Sequence, residues 1–295
     1  LKPSELKALI NLLDDPDEEV YTHVKERLMD LGDEIIPMLE NVWEMGDPFN
    51  NIVQTRIENI IHDIQFANIK KALIDWANND SQDLLKGIIL VAKYQYPDLD
   101  EKAIHRKIDQ IIQDVWIELN DNLTGIEKVK VINHILFDVH GFSGNTANYH
   151  APQNSFINNV LESKKGNPLS LSILYAIIAH RLELPIYGVN IPEHFILAYV
   201  ADNEILKVIT QADNDYGVLF YINPFSRGAA FSKKEIDAFL AQLKLKPKDS
   251  YFKPCSNIDI VKRALNNLIN SYEKLGYPKK SEELRELLDA ISNFE

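Results

Sequence analysis

The run KKGNPLSLSILYAIIAHRLELPIYGVNIPEHFILAYV, residues 164–200, holds the side chains whose types and spacing suit chemistry. His194 stands at the start of the second of two apolar, β-branched stretches that follow a long apolar segment. A histidine there is either a base facing a cleft or a satisfied, partly buried strand residue. The apolar segment opens at Pro168, which has no nucleophilic atom but suits the first position of a helix. Ser170 and Ser172 follow. Side chains two residues apart on a helix face different ways, so neither inherits the direction of position 168. Each is expected to bond back into its own helix. Cys255 lies far outside this run and reads as a structural thiol. The sequence has no H-E-x-x-H, no cysteine pair and no EF-hand loop, so no metal is expected. It has no G-x-G-x-x-G and no P-loop, so no cofactor is expected either.

These residues need elements to position them. Residues 168–182 are apolar on nearly every side, which predicts a helix buried all round. After it the period changes from helical to alternating. PIYGVNI, HFILAYV, EILKVIT and GVLFYINP predict four strands in an antiparallel meander, with ADNE as a hairpin turn. Glu193, next to His194, is expected on the opposite face of its strand. Before the buried helix, GFSGNTANYHAPQNS is a loop, and Asn154 or Ser155 is expected to cap a short helix over 156–163. Helices are predicted over 82–96, 104–118 and 126–139, with SKKEIDAFLAQL as another after the strands.

Both ends read as helical. LLDDPDEEVYTHVKERLMDLGDEIIPML predicts a helix pair, with Asp15 as cap, Pro16 in the first turn and Gly32 as the stop. Val20, Val24, Leu28 and Leu31 fall on one face. A following helix ends at Gly46, and the pattern then begins again. At the other end, residues 258–291 predict a helical hairpin joined at 276–278.

The totals set limits. The chain has 295 residues, 45% of them hydrophobic and 25% charged, which excludes wholesale disorder and fibrous repeats. It has no run of about 18 apolar residues, so no membrane span is expected. The N-terminus lacks an apolar core with a cleavage site. One cysteine allows no internal disulfide and suits a cytoplasmic setting. The net charge is −13, and residues 1–66 hold 15 acids against 5 bases. Such a surface repels phosphate backbones, so nucleic acid is an unexpected partner.

The stretch NYHAPQNSFINNVLESKKGNPLSLSILYAIIAHRLELPIYGVNIPEHFIL resembles the SirB-type transglutaminase-like family, bacterial proteins with a transglutaminase-like core and a tetratricopeptide segment. The resemblance runs through LLKGIILVAKYQYPDLD upstream and FYINPFSRGAAFSKKEI downstream, about residues 80–240 in all. The N-terminal helix pair resembles a HEAT-type repeat, with a plain helical bundle as the alternative. Asn267, Leu268, Tyr272, Gly276 and Ser281 fall in the register of one tetratricopeptide repeat. In the family's enzymes a Cys opens the buried helix, a His follows on a strand and an Asp on the next strand but one. The resemblance carries these positions onto Pro168, His194 and Asn223. It implies that base and orienter remain without the nucleophile. Asn154 falls on the family's Asn-Ser motif, where it lines the cleft or caps a helix.

The expected architecture is therefore α+β and mostly helical. It has a HEAT-like region at 1–80, a transglutaminase-like core at 81–245 and a tetratricopeptide-like hairpin at 246–295. The expected function is a non-catalytic, protein- or peptide-binding or regulatory module, with partners on the repeat-like ends. The alternative is a hydrolase or acyl transferase that uses His194 with another nucleophile or an activated water.

Overall fold

A computed structural model describes residues 3–45, 51–201 and 217–294. The chain divides into two compact units, Leu1–Ala72 and Leu73–Glu295.

The first unit is helical. It holds α1 (Pro3–Asn11), α2 (Glu18–Met29), α3 (Ile36–Met45) and most of α4 (Asn51–Asp75). The expected α2 cap is corrected. Asp17, not Asp15, accepts from the N–H of Glu19, and Pro16 lies before the helix. Asp15 accepts instead from the Asp17 N–H, two residues too early to cap. Leu13, Leu28, Leu39, Ile57 and Ile60 are fully buried and form the unit's core. Arg56 is buried beside them. Its guanidinium donates to the carbonyls of Leu13 and Asp15 and to Glu18, and stacks 4.3 Å over Tyr21. One side chain thus satisfies the carbonyls of the turn between α1 and α2, which would otherwise be left unpaired.

The second unit is mostly helical around a small antiparallel sheet. Its first helices are α5 (Leu84–Gln95), α6 (Glu101–Glu118) and α7 (Gly125–Asn133). The side chains of Asp83, Asp100 and Thr124 cap them. These caps explain why α6 begins three residues before the predicted Ile104, and α5 two residues after the predicted start. The predicted 126–139 helix ends as α-helix at Asn133 and finishes in a wider π turn, His134–Val139.

The central helix is α9 (Pro168–Arg181). Every residue from Pro168 to Ala179 is buried. It packs on α5, α6, the preceding helix α8 (Ile157–Ser163) and one face of the sheet. That sheet is ordered β3 (Ile186–Ile191), β4 (His194–Val200), β5 (Val218–Asn223), β6 (Ala229–Phe231). A separate two-residue parallel pair joins β1 (Ser143–Gly144) to β2 (Lys165–Gly166). Helix α10 (Lys233–Gln242) covers the other face, where Ile236 and Leu240 meet Val189, Ile196, Ala198 and Tyr221. Because β4 is buried on both faces, it reads as a continuous apolar run. The predicted strand over 204–210 lies outside the described residues. Most of the expected ADNE turn also falls outside the described residues; the described strands form an antiparallel meander in which β4 pairs with β3 and β5, and β6 is the fourth strand.

The chain closes with α11 (Asn257–Leu275) and α12 (Pro278–Ala290). Ser256 and Asp259 form a reciprocal cap at the start of α11. Gly276 ends it at φ +76, a conformation that favours glycine. Helix α11 packs on α5 and α12, with Leu265 and Leu268 fully buried, and belongs to the same compact unit as the sheet.

Candidate functional site

Pro168 is the first residue of α9. The residue before it organises the helix start. Asn167 accepts from the Ser170 N–H at 2.8 Å, and its own N–H donates to the Ser170 hydroxyl at 3.0 Å. Its side-chain amide donates to Ser155 at 3.0 Å. A Cβ on Gly166 would stand 2.5 Å from that Ser170 hydroxyl, so the close approach needs glycine. Ser172 donates to the Pro168 carbonyl at 2.8 Å. Both serines are thereby engaged with their own helix, and neither lines the cavity at its N-terminus.

That cavity has a volume of about 470 Å³. Asn167, Pro168 and Leu169 form one side, and Glu193, His194 and Phe195 another. Tyr149 and His150 close a third side. The remaining wall is one face of α11, from Arg263 through Asn267, Asn270 and Ser271 to Lys274. Pro168 and His194 therefore open onto the same space. The third predicted residue, Asn223, lies beside the His194 ring and acts on its pKa, while its side-chain oxygen accepts from the N–H groups of Phe225 at 3.1 Å and Ser226 at 3.3 Å. Burial pushes the His194 pKa below its ordinary value. The neighbouring Asn223 side chain opposes that shift and the positive charge of Arg263 adds to it. The imidazole is held neutral at neutral pH, the form a general base requires.

Asn154 neither lines this cavity nor caps α8. It lies in a tight turn, Pro152–Ser155, and α8 starts at Ile157 without a side-chain cap. That corrects the cap expected from Asn154 or Ser155. Asn154 is 4% exposed and holds the neighbouring loop. It donates to the carbonyls of Asn148 at 2.6 Å and Tyr149 at 3.2 Å, and accepts from Asn145 at 2.9 Å. Through those bonds it presents Tyr149 and His150 to the cavity.

Glu193 is also corrected. It is not a strand residue facing away. With Pro192 it makes the two-residue turn between β3 and β4, at φ +58, and it lines the same cavity as His194. The rule of alternating faces fails because the strand starts one residue later, at His194. The α11 wall was not foreseen either. Its signal is the polar stripe Arg263, Asn267, Asn270, Ser271 and Lys274, spaced as one helix face opposite the apolar one.

Ser271 brings a hydroxyl into the cavity, and it donates to the Asn267 carbonyl at 2.9 Å. No thiol lines it. Cys255 lies at a second cavity, shared with His180 and Tyr187. Burial pushes its thiol up to about 12, with Asp259 adding to the shift. Among the described residues no group of three or more His, Cys, Asp or Glu is arranged to hold a metal ion.

A pocket set between the start of a buried helix and a histidine on the following sheet is the layout of transglutaminase-like proteins. A model of that superfamily matches residues 102–266, more than half of the chain. The chain belongs to the transglutaminase-like superfamily. A UPF0162 protein of Xylella fastidiosa is 32% identical over 129 residues, 44% of this chain and 46% of that protein. A UPF0162 protein of Vibrio cholerae is 25% identical over 174 residues, 57% of this chain and 59% of that protein. Human F-box only protein 21 is 26% identical over 235 residues, 72% of this chain and 36% of that protein. The match to the first of these thus spans about half of the relative's own length. No solved structure matches. No helix among the described residues is long and apolar enough to cross a membrane.

Proposed function

We propose that this transglutaminase-like chain is a non-catalytic module for binding or regulating other proteins. On this reading the core is a degenerate one of the SirB type. The HEAT-like helices of 1–80 and the tetratricopeptide-like hairpin of 246–295 flank it, and the protein works in a bacterial cytoplasm. One observation carries the reading. The helix N-terminus that would activate a nucleophile is occupied by Pro168, facing a cavity that retains His194, with Asn223 beside that histidine. The terminal helices supply apolar surface for partners. Trp43 and Met45 on α3 are 40% and 80% exposed, and Leu275 and Tyr277 at the α11–α12 turn are 54% each. The test is affinity capture with the intact chain and with two surface variants, Trp43→Ala with Met45→Ala, and Leu275→Ala with Tyr277→Ala. Partners lost from one or both variants support the module. Capture unchanged by both argues against it.

A second reading has a specific observation behind it. Ser271 shares the open, polar cavity with His194. A hydrolase or acyl transferase would use that hydroxyl, or a water activated by His194. Turnover of amide or ester substrates that disappears in Ser271→Ala or His194→Ala would replace the first reading with this one.

A further inference from the structure

The cavity beside His194 is unlike the rest of this acidic chain in its charge. Its α11 wall carries two cations, Arg263 and Lys274, and the β3–β4 turn opposite contributes one acid, Glu193. Lys274 shares a 3.4 Å contact with a neutral-capable acceptor, the His150 Nδ1. Arg263 is half-buried. Its Nη1 donates to the Asn190 side-chain oxygen at 3.0 Å, a neutral partner, and no ion pair engages it among the described residues. Burial lowers its pKa, and its charge reaches the His194 ring across the cavity. A desolvated guanidinium without a carboxylate is a costly arrangement that an anionic ligand would relieve. The Asn190 bond anchors one edge of its fork, leaving the rest for bidentate contact with a carboxylate.

The rest of the wall says what carries that carboxylate. Asn267 and Asn270 lie between the two cations on the same helix face, and each amide offers a donor and an acceptor, as a peptide main chain does. From Arg263 to Lys274 the helix rises about 16 Å. An extended peptide of about five residues spans that length. The volume of about 470 Å³ is in the range of ligand-binding clefts.

We propose that this cavity binds an acidic peptide segment, with a side-chain carboxylate on Arg263, a second near Lys274, and main-chain amides on Asn267 and Asn270. Glu193, on the facing turn, repels the same charges and orients the segment toward α11. The inference deepens the binding-module reading by naming a ligand chemistry, and rests on it only in expecting the peptide to leave unaltered.

The test uses the full chain with fluorescein-labelled hexaglutamate, read by fluorescence polarisation and followed by mass spectrometry of the recovered peptide. Labelled hexalysine, labelled oligothymidylate and unlabelled free glutamate as competitor complete the set. Saturable binding of hexaglutamate is expected, weakened at least about 10-fold by Arg263→Gln and partly restored in Arg263→Lys. Lys274→Glu, at an exposed position that leaves the core untouched, should weaken it about 3-fold or more. Free glutamate should compete only at far higher concentration. The inference is overturned by no saturable binding of hexaglutamate, by binding that neither the Arg263 nor the Lys274 variants change, by equal binding of hexalysine, or by tighter binding of oligothymidylate. Effective competition by free glutamate would replace the peptide with a small carboxylate and overturn it equally. Peptide that binds and returns shortened keeps the site and removes the non-catalytic reading. Peptide that fails to bind removes the site and leaves the module to its surface variants.

Discussion

Two cavities of the second unit each hold part of the equipment for thiol chemistry. The first has a helix N-terminus that opens at Pro168 and a histidine that burial keeps neutral, and on the proposed reading that proline stands where a thiol would. The second has the thiol of Cys255 and the imidazole of His180. There the imidazole is bonded to the Ile186 carbonyl, and burial keeps the thiol protonated. The contrast teaches that residue types do not make a site. A cysteine is a nucleophile only where something stabilises its thiolate, and the open N-terminal turn of α9 provides that while the Cys255 corner does not.

Moving the thiol from one cavity to the other gives the largest expected effect. Pro168→Cys, made with Cys255→Ser, should react with iodoacetamide at pH 7.5 about 1,000-fold faster than Cys255 does in the unmodified chain. The rates are read by mass spectrometry. Similar rates at the two positions would erase the distinction between the cavities.

The helix start that defines the first cavity should be costly to disturb. Asn167→Ala removes the side-chain cap on the Ser170 N–H and the bond to Ser155, and leaves the backbone bond to the Ser170 hydroxyl. A loss of about 1–2 kcal/mol is expected from urea unfolding. A loss under about 0.5 kcal/mol would show that packing alone holds the α9 start.

The histidines sharpen the comparison through pH. Burial lowers the pKa of both His194 and His180 in the folded state. The unfolded chain therefore takes up protons first. Stability present above about pH 6.5 is lost as pH falls from there through the folded-state pKa values. Urea midpoints at pH 7.5, 6.5 and 5.5 should fall in that order, and His194→Gln should flatten the decline. An identical decline in the variant would show that His194 takes up its proton equally readily in the folded and the unfolded chain.

The smallest effect concerns the turn that carries Glu193. Its φ of +58 suits glycine, so Glu193→Gly should stabilise the fold by about 0.5 kcal/mol, strain relief being partly offset by chain entropy. Destabilisation would mean that the glutamate's own contacts outweigh its backbone strain.

Much of this arrangement was legible in the residues. The buried helix is all apolar and the strands alternate or run apolar, so their periods stand out. His194 follows from its place in that pattern, and Pro168 and Asn223 from the family resemblance. What was missed depends on tertiary packing. Position 193 belongs to a turn or a strand according to where β4 begins, and one residue of register reverses the side chain's direction. Asn154 looks like a cap in isolation and instead braces a loop through carbonyls five and six residues back. The edge strand Ala229–Phe231 is short and partly built of alanine, a weak strand signal. The α11 wall was hidden because a polar helix face ordinarily faces solvent. Only packing of α11 beside the α9 start turns that face into the side of a cavity.

The central claim is that the chain keeps a base and its orienter without a nucleophile. The most direct test is to incubate the intact chain with p-nitrophenyl acetate at pH 7.5, follow nitrophenol release and take the protein's intact mass. The account predicts no acyl adduct and a release rate unchanged, within about 2-fold, by His194→Ala. A stable adduct on Ser271, or release that collapses in His194→Ala, would contradict it.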